Sequence, residues 1–275
     1  MAQKFYGGLD RSFWQKKPLI GMVHLAALPG SPQDAGKGMT ATIERAIVDA
    51  KALEEGGADA IMVENFFDVP FCRESLPPHT VAALTLAVAA VRAATSIPIG
   101  VNALRNDARA AIAIAHVCGV QFVRINVYIG AAITDQGIIQ GASRDAILYR
   151  KELSADVAIL ADVFVKHAAQ LGQSTLKDAA RDAVERGLAD ALIVSGAATG
   201  SETDPDDVRT VKFVVGDTPV LVGSGFNAQT AAVLLDVADG AIVGTGLKQD
   251  GEVAKPVEQS RVRALREVMD SCVLS

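Results

Sequence analysis

Eight times along this 275-residue chain, a short apolar run rich in Val, Ile and Ala ends in polar or glycine residues and gives way to a helix-like stretch. The first run, 19–24, closes on His24; the second, 58–65, closes on Glu64 and Asn65; the third, 97–102, closes on Asn102. Run 120–126 carries Arg124 and Asn126, run 157–163 carries Asp162, and run 189–195 closes on Ser195. The last two, 219–223 and 240–244, enter Gly223-Ser224-Gly225 and Gly244-Thr245-Gly246. Unbroken apolar runs suit strands buried on both faces, and their alternation with helices implies right-handed parallel crossovers. Eight such units predict an α/β fold, a single (β/α)8 (TIM) barrel, for which about 250 residues is typical. Residues 1–18 are then a lead-in segment and 19–275 the barrel. Residues just past the carboxyl ends of the strands share one mouth in this fold, so the periodicity also nominates site residues.

Helices are expected over 40–55, 107–117, 143–153, 175–186, 204–215, 227–235 and 257–269, with Asn227 and Asp204-Pro205 as starts. The longer connections, 25–39, 66–78, 128–142 and 196–203, follow strands, as expected if the upper loops carry function. Half of the residues are hydrophobic and mean hydropathy is +0.27, enough for one large core. A net charge of −6, a pI near 5.3 and no basic block argue against nucleic acid as a partner. The most apolar stretch, 81–91, is about half of the ~20 residues a membrane span needs and suits a barrel helix. The amino terminus lacks the charged and apolar regions of a signal peptide, and Cys72, Cys118 and Cys272 show no paired spacing. Both features predict a cytoplasmic protein with free thiols. The lead-in concentrates Phe5, Tyr6, Phe13 and Trp14. A plug over the amino-terminal end of the barrel explains them, with a membrane-surface or partner patch as the alternative. Barrel exteriors often pair, so a homo-oligomer is compatible with the chain.

The glycine pairs after runs seven and eight form the best-grounded motif. In barrels a phosphate commonly rests on the backbone amides of these two loops and the amino end of a short helix. Gly223, Ser224, Gly225, Gly244, Thr245 and Gly246 are therefore the expected phosphate-binding residues, with Ser224 and Thr245 adding hydroxyl donors. Arg105 and Lys248 could add positive charge at the mouth, although for each alone a solvated side chain is the slightly favoured reading. Run five gives Ala161-Asp162-Val163-Phe164-Val165-Lys166-His167, where alternation turns Asp162 toward the barrel interior and leaves Lys166 and His167 on the rim. These three can serve in acid–base work, or Lys166 as a Schiff-base nucleophile, with Glu64 as the opposing acid or base. The competing reading of Asp162 is a structural ion pair with Lys166 or Arg124. Arg124 needs an anion: Glu64, Asp162 or a substrate group. His24, Asn65, Asn102, Arg124, Asn126, Asp135 and Ser195 are expected to orient the substrate. Asp135 sits in Thr134-Asp135-Gln136-Gly137, either a lid over the mouth or an ordinary turn. Ser195-Gly196 and Thr199-Gly200 suggest a further polar loop. No cofactor is required, although His24, Glu64, Asp162 and His167 are a possible divalent-metal set. No serine lies in a nucleophile elbow.

Several runs together resemble the BtpA family. They are Gly21-Met22-Val23-His24-Leu25 with Leu28-Pro29-Gly30-Ser31-Pro32, Val63-Glu64-Asn65-Phe66 with Asp68-Val69-Pro70-Phe71, and Asn102-Ala103-Leu104-Arg105-Asn106-Asp107. Arg124-Ile125-Asn126-Val127, Thr134-Asp135-Gln136-Gly137-Ile138-Ile139, Ala161-Asp162-Val163 with Val165-Lys166-His167, Ala189-Asp190-Ala191-Leu192-Ile193-Val194 and the two glycine loops extend the resemblance over nearly the whole chain. Ala103, where Val is expected, is a small departure facing away from the mouth. The resemblance implies a phosphate-binding type of barrel. It also implies a family named for the accumulation of photosystem I in cyanobacteria, with members beyond photosynthetic organisms. Two functions follow as expectations. One is a cytoplasmic enzyme acting on a phosphorylated sugar or nucleoside-like molecule, as an isomerase, aldolase-type lyase or glycosidic hydrolase. The other is a biogenesis or scaffold factor for a membrane complex, with a regulatory ligand site.

Overall fold

The structure is a computed structural model that describes residues 6–36, 38–73, 75–172, 174–196 and 201–274. Its strands are β1 (Leu19–His24), β2 (Ala60–Glu64), β3 (Ile99–Asn102), β4 (Phe122–Ile125), β5 (Ala131–Thr134), β6 (Gly137–Gln140), β7 (Ala158–Val163), β8 (Ala169–Gln170), β9 (Ala191–Val194), β10 (Val220–Val222) and β11 (Ala241–Val243). The helices are α1 (Arg11–Gln15), α2 (Gly38–Glu55), α3 (Pro78–Ala94), α4 (Ala108–Cys118), α5 (Ser143–Glu152), α6 (Leu176–Glu185), α7 (Pro205–Val215), α8 (Ala231–Leu235) and α9 (Gln259–Leu274). Eight of the strands close into a barrel in the order β1-β11-β10-β9-β7-β4-β3-β2. The pairings are parallel throughout, so the eight apolar runs are the eight barrel strands.

Side chains alternate across a strand, which gives the barrel two cores. Ile20 and Met22 of β1, Ala60 and Met62 of β2, and Ala158 and Leu160 of β7 fill the interior. Val23, Val63, Val101 and Val123 point outward into the larger core against the helices. Phe122 takes interior space that Gly100 leaves open, since a Cβ at 100 would lie 2.1 Å from the ring. Helix ends follow local chemistry: Asp204 caps α7 by accepting from the Asp206 N–H, with Pro205 in the first turn. Asn227 accepts from the N–H groups of Gln229 and Thr230 just before α8. Among the described residues, no helix is long and apolar enough to cross a membrane.

The lead-in closes the amino-terminal end of the barrel. Leu9 and Trp14 belong to the interior cluster, and Tyr6 and Phe13 pack against it. Asp10 caps the short α1, and the Trp14 indole donates to the Leu9 carbonyl at 2.9 Å. These aromatics are thus spent on packing rather than displayed as a docking patch; Phe5 lies outside the described residues.

Two expectations need correction. Residues 128–142 were expected as a loop, but they fold back as an antiparallel hairpin, β5 with β6, joined by β8 into a three-stranded sheet. Ala132 and Ile139 face inward with Val127 and Val165 in a small apolar cluster of their own, which gives the hairpin its sidedness. Lys248, read as a mouth charge or a solvated side chain, is neither: it is buried between α2 and the segment leading to α9. Its Nζ donates to Asp49 Oδ2 at 2.7 Å, and both side chains are 1% exposed. Asp49 Oδ1 accepts from the Val257 N–H and from Arg45 Nε. Burial pushes the Lys248 amine below the ordinary lysine range, while Asp49 opposes the shift.

This pair ties the end of the chain to the first barrel helix, and breaking one half should cost more than replacing both. Asp49→Ala strands a buried ammonium and is expected to lower unfolding free energy by about 3–5 kcal/mol in denaturant titrations at pH 7. The double replacement Asp49→Leu with Lys248→Met should recover most of that loss. A loss in the double variant as large as in Asp49→Ala would contradict this account.

Candidate active site

The interior residues of each barrel strand recur every two positions, so the next position upward is set by arithmetic. Two residues beyond Met22, Met62, Gly100, Phe122, Leu160, Ile193, Leu221 and Ile242 stand His24, Glu64, Asn102, Arg124, Asp162, Ser195, Gly223 and Gly244. The register brings four of them side by side: His24 pairs with Glu64, Glu64 with Asn102, and Asn102 with Arg124. Five of the eight, on one side of the ring, are charged or strongly polar, and three are small. The small side leaves room for a ligand.

The charged side is cross-braced. Arg124 makes a bidentate pair with Asp162, Nε to Oδ2 at 3.0 Å and Nη2 to Oδ1 at 2.8 Å. Asn126 Nδ2 donates to the same Oδ2 at 2.7 Å. Burial works against the Arg124 charge, but Asp162 and Glu64 more than compensate and raise the guanidinium pKa. Asp162 was nominated for proton transfer. With three hydrogen bonds and 5% exposure, it anchors Arg124 and Asn126 instead. Glu64 Oε2 accepts from Asn102 Nδ2 at 2.5 Å, so Asn102 braces Glu64 rather than facing the cavity. Asn65 departs further. Its Oδ1 accepts from the Leu104 N–H, and its Nδ2 donates to Asp68 and the Leu104 carbonyl, fixing the loop after β3. Alternation explains this, because a residue next to inward Glu64 must turn outward.

His24 stacks on Phe66, with ring centroids 4.3 Å apart and planes 28° apart. Burial, then the cationic Lys248, Lys166 and Arg124, holds its imidazole well below the ordinary histidine range. It is therefore neutral at pH 7, and its 4.0 Å approach to Glu64 is a polar contact rather than an ion pair. The His24 Nδ1 is buried without a partner among the described residues.

Lys166 follows β7 and reaches the centre of the mouth. Among the described residues its amine has no carboxylate or carbonyl within bonding distance. Burial, then Arg124, pushes it below the ordinary lysine range, against the opposing pull of Glu64 and Asp162. Its backbone is held from the far side, where Arg105 Nη2 donates to the Lys166 carbonyl at 2.9 Å. His167 is exposed on the rim and lowered by burial, then by Lys166 and Arg105. Asp135 stands at the tip of the β5–β6 hairpin and also lines the rim, together with Arg105 and His167.

The glycine loops face the charged side. Thr245 opens a single 3-10 turn, Thr245–Leu247. Among the described residues, the N–H groups of Gly225, Thr245 and Gly246 donate to no acceptor. A Cβ at 244 would lie 2.8 Å from the His24 ring, so glycine there admits the imidazole. Ser224 was expected as a hydroxyl donor to a ligand. Its Oγ instead accepts from the Gly196 N–H and donates to the Ser201 carbonyl, stapling neighbouring loops together. Ser195 Oγ is buried against Gly223 without a partner among the described residues. Thr199-Gly200 lies outside the described residues.

The mouth has two lobes. An inner lobe of about 220 Å³ runs along the two glycine loops and beneath His24. An outer lobe of about 560 Å³ lies under the hairpin and is walled by Phe66, Phe67, Val69, Phe71 and Leu104. Glu64, Phe66, Arg124 and Lys166 line both. The phenylalanines were missed from sequence, although three of the chain's nine fall within residues 66–71. Among the described residues, no group of three or more His, Cys, Asp or Glu side chains is placed to hold a metal ion. The proposed metal set is dispersed because Asp162 is taken by Arg124 and Asn126.

The chain is 45% identical over 261 residues to the protein named photosystem I biogenesis protein BtpA from Synechocystis sp., an alignment spanning 95% of this chain and 91% of that one. Among solved structures it is similar to thiamine phosphate pyrophosphorylase from Pyrococcus furiosus, with a TM-score of 0.56 at 14% identity over 95% of this chain and 98% of that one. It is equally similar to phosphoribosyl anthranilate isomerase from Thermus thermophilus, with a TM-score of 0.56 at 10% identity over 92% and 98% of the two chains. At such identities the structural likeness extends to the closed parallel barrel alone. The match of residues 15–271 to the model of the BtpA family takes in every barrel strand and both glycine loops, and with it the chain belongs to the BtpA family.

Proposed function

We propose that the protein is an enzyme acting on a small phosphorylated molecule, a sugar or nucleoside-like compound, bound at the carboxyl-terminal mouth. The observation that carries this reading is a lysine amine that, among the described residues, has no counter-ion within bonding distance, in the same cavity as two glycine loops whose N–H groups have no acceptor among those residues. In this reading the phosphate accepts from Gly225, Thr245 and Gly246, and the fixed Arg124 charge orients the remainder. Both structurally similar barrels carry a phosphate ester in their names, which agrees with such a ligand.

Lys166 is the reacting group. As an uncharged amine it removes a proton next to a substrate carbonyl, or condenses with that carbonyl to an imine with loss of water. The ammonium so formed delivers that proton to the neighbouring carbon, while Glu64, braced through Oε2, carries a proton from the hydroxyl oxygen to the carbonyl oxygen. Isomerase and aldolase-type lyase chemistry both follow from this pair on a sugar phosphate. On a nucleoside-like compound, which has no free sugar carbonyl, the pair supports glycosidic hydrolysis, with Glu64 taking a proton from the attacking water and the Lys166 ammonium giving one to the departing base. A second reading, a biogenesis factor for a membrane complex, is favoured by the name of the Synechocystis relative. Of the lead-in's aromatics, the buried Trp14 is withheld from such docking, while Tyr6 and Phe13 are half-buried.

Phosphate and ribose 5-phosphate are expected to raise the thermal unfolding midpoint, binding at 100 times Kd being worth about 2.7 kcal/mol. Gly246→Asp should abolish the rise while leaving the ligand-free midpoint in place. A Cβ at 246 meets nothing closer than 3.6 Å, and the new carboxylate repels the anion. Position 225 would not serve, because its φ is +66° and a Cβ there would lie 2.4 Å from the Glu202 backbone. Silence of every phosphorylated compound would sink the reading.

Amine labelling tests Lys166 separately. An ordinary lysine is roughly 0.4% uncharged at pH 8. The lowered pKa of Lys166 means that its labelling by acetic anhydride should reach half-maximum at a lower pH than that of an ordinary lysine in a reference peptide. Coincident midpoints, read by peptide mass spectrometry, would remove Lys166 from the reacting role.

A further inference from the structure

A sugar phosphate uses only one of the two lobes. The outer lobe, about 560 Å³, is more than twice the volume of the inner one, and its wall is of a different kind. Phe66, Phe67 and Phe71 are each half-buried and turn toward the cavity, while the barrel cores on either side are complete without Phe67 and Phe71. Ring contacts orient two of them: Phe66 lies flat on His24, and Phe67 stands edge-on to Phe66 at 5.1 Å and 85°. Aromatic surface held in this way is covered most favourably by another flat ring. Around it, Gln33, Arg105, Asp135 and His167 supply a mixed set of hydrogen-bond donors and acceptors. A ligand filling both lobes must pass Glu64, Phe66, Arg124 and Lys166, the residues common to the two.

We propose that the outer lobe is a nucleobase site and that the substrate class is a nucleoside 5′-monophosphate. The phosphate lies on the glycine loops, the ribose passes Arg124, Glu64 and Lys166, and the base stacks on the phenylalanine wall. The inference rests on the proposed phosphate site. A heteroaromatic base has both features that the lobe addresses, a π-face for the phenylalanines and a polar edge for the rim. A bare sugar phosphate has neither, and leaves the larger lobe filled with water against an apolar wall. The ring also decides which part of the ligand meets Lys166: a nucleotide's ribose has no free carbonyl, so with this ligand the reaction at the shared residues is hydrolysis of the glycosidic bond.

Calorimetric titration with AMP, GMP, CMP, UMP, their nucleosides and ribose 5-phosphate tests the assignment on the unmodified protein. At least one monophosphate is expected to bind ten times or more tightly than ribose 5-phosphate. The double variant Phe67→Ala/Phe71→Ala should erase that advantage while keeping ribose 5-phosphate within twofold, and Gly246→Asp should weaken both ligands together. Binding of all four monophosphates no tighter than ribose 5-phosphate overturns the nucleobase site and leaves the phosphate site standing; that comparison needs no variant to fold. Nucleosides binding as tightly as their monophosphates, with Gly246→Asp indifferent, overturns the phosphate reading and with it the monophosphate class. Absence of binding by every compound overturns both.

Discussion

Closure of eight parallel strands forces each strand to present alternate residues to a shared interior, and the mouth inherits its composition from that parity. The interior layers are apolar up to Met22, Met62 and Leu160, and the next step on each strand is polar or glycine. The change in chemistry therefore happens at one level around the whole barrel. The parallel register converts eight separate strand ends into a ring, with His24, Glu64, Asn102 and Arg124 on consecutive strands. Neither the bracing hydrogen bonds nor the cavity would exist if one strand slipped by a residue, because every inward side chain on it would turn out.

Within that ring the charges divide into those that are spent and one that is kept. Asp162 is consumed by Arg124 and Asn126, and Glu64 is half consumed by Asn102. This bracing has an electrostatic result. The carboxylates nearest to Lys166 are already directed at other partners, and Arg124 stands beside it as a like charge, so burial dominates and the amine is lowered. Away from the mouth, Lys248 has the opposite arrangement, a buried ammonium matched by Asp49. Two half-hidden or hidden lysines thus differ in what faces them: a carboxylate meets Lys248, and among the described residues none bonds to Lys166.

Much of this was legible in the sequence, and what was not follows a pattern. The eight apolar runs, the helices between them and the polar strand ends could be read locally. The first run matches β1 at both ends, whereas the other seven overshoot their strands by one or two residues at one or both ends, since hydropathy does not reveal where the ladder stops. Placing Asn65 beside Glu64 in the mouth overlooked alternation, which was available from the spacing alone. The Asp49–Lys248 pair joins residues far apart in the chain, and no local pattern marks it. Asp162 could be read as reactive or structural, and only the geometry of Arg124 and Asn126 decides its contacts. The hairpin over 131–140 carried a short signal in Thr134-Asp135-Gln136-Gly137 flanked by Ile133 and Ile138, but its inward face depends on Val127 and Val165 from separate loops. The phenylalanine wall was visible as a local excess of aromatics whose common destination required the fold.

The lead-in makes the barrel a vessel with a stopper at one end. Because Leu9 and Trp14 fill its base, whatever reaches Lys166 arrives and departs by the same opening, and the hairpin tip carrying Asp135 leans over that opening. Under the proposed function, entrance and exit would be one door, and the hairpin tip stands beside it. A change in the β5–β6–β8 sheet, remote from the glycine loops, would then bear on loading and emptying alike without touching the groups at the centre of the mouth.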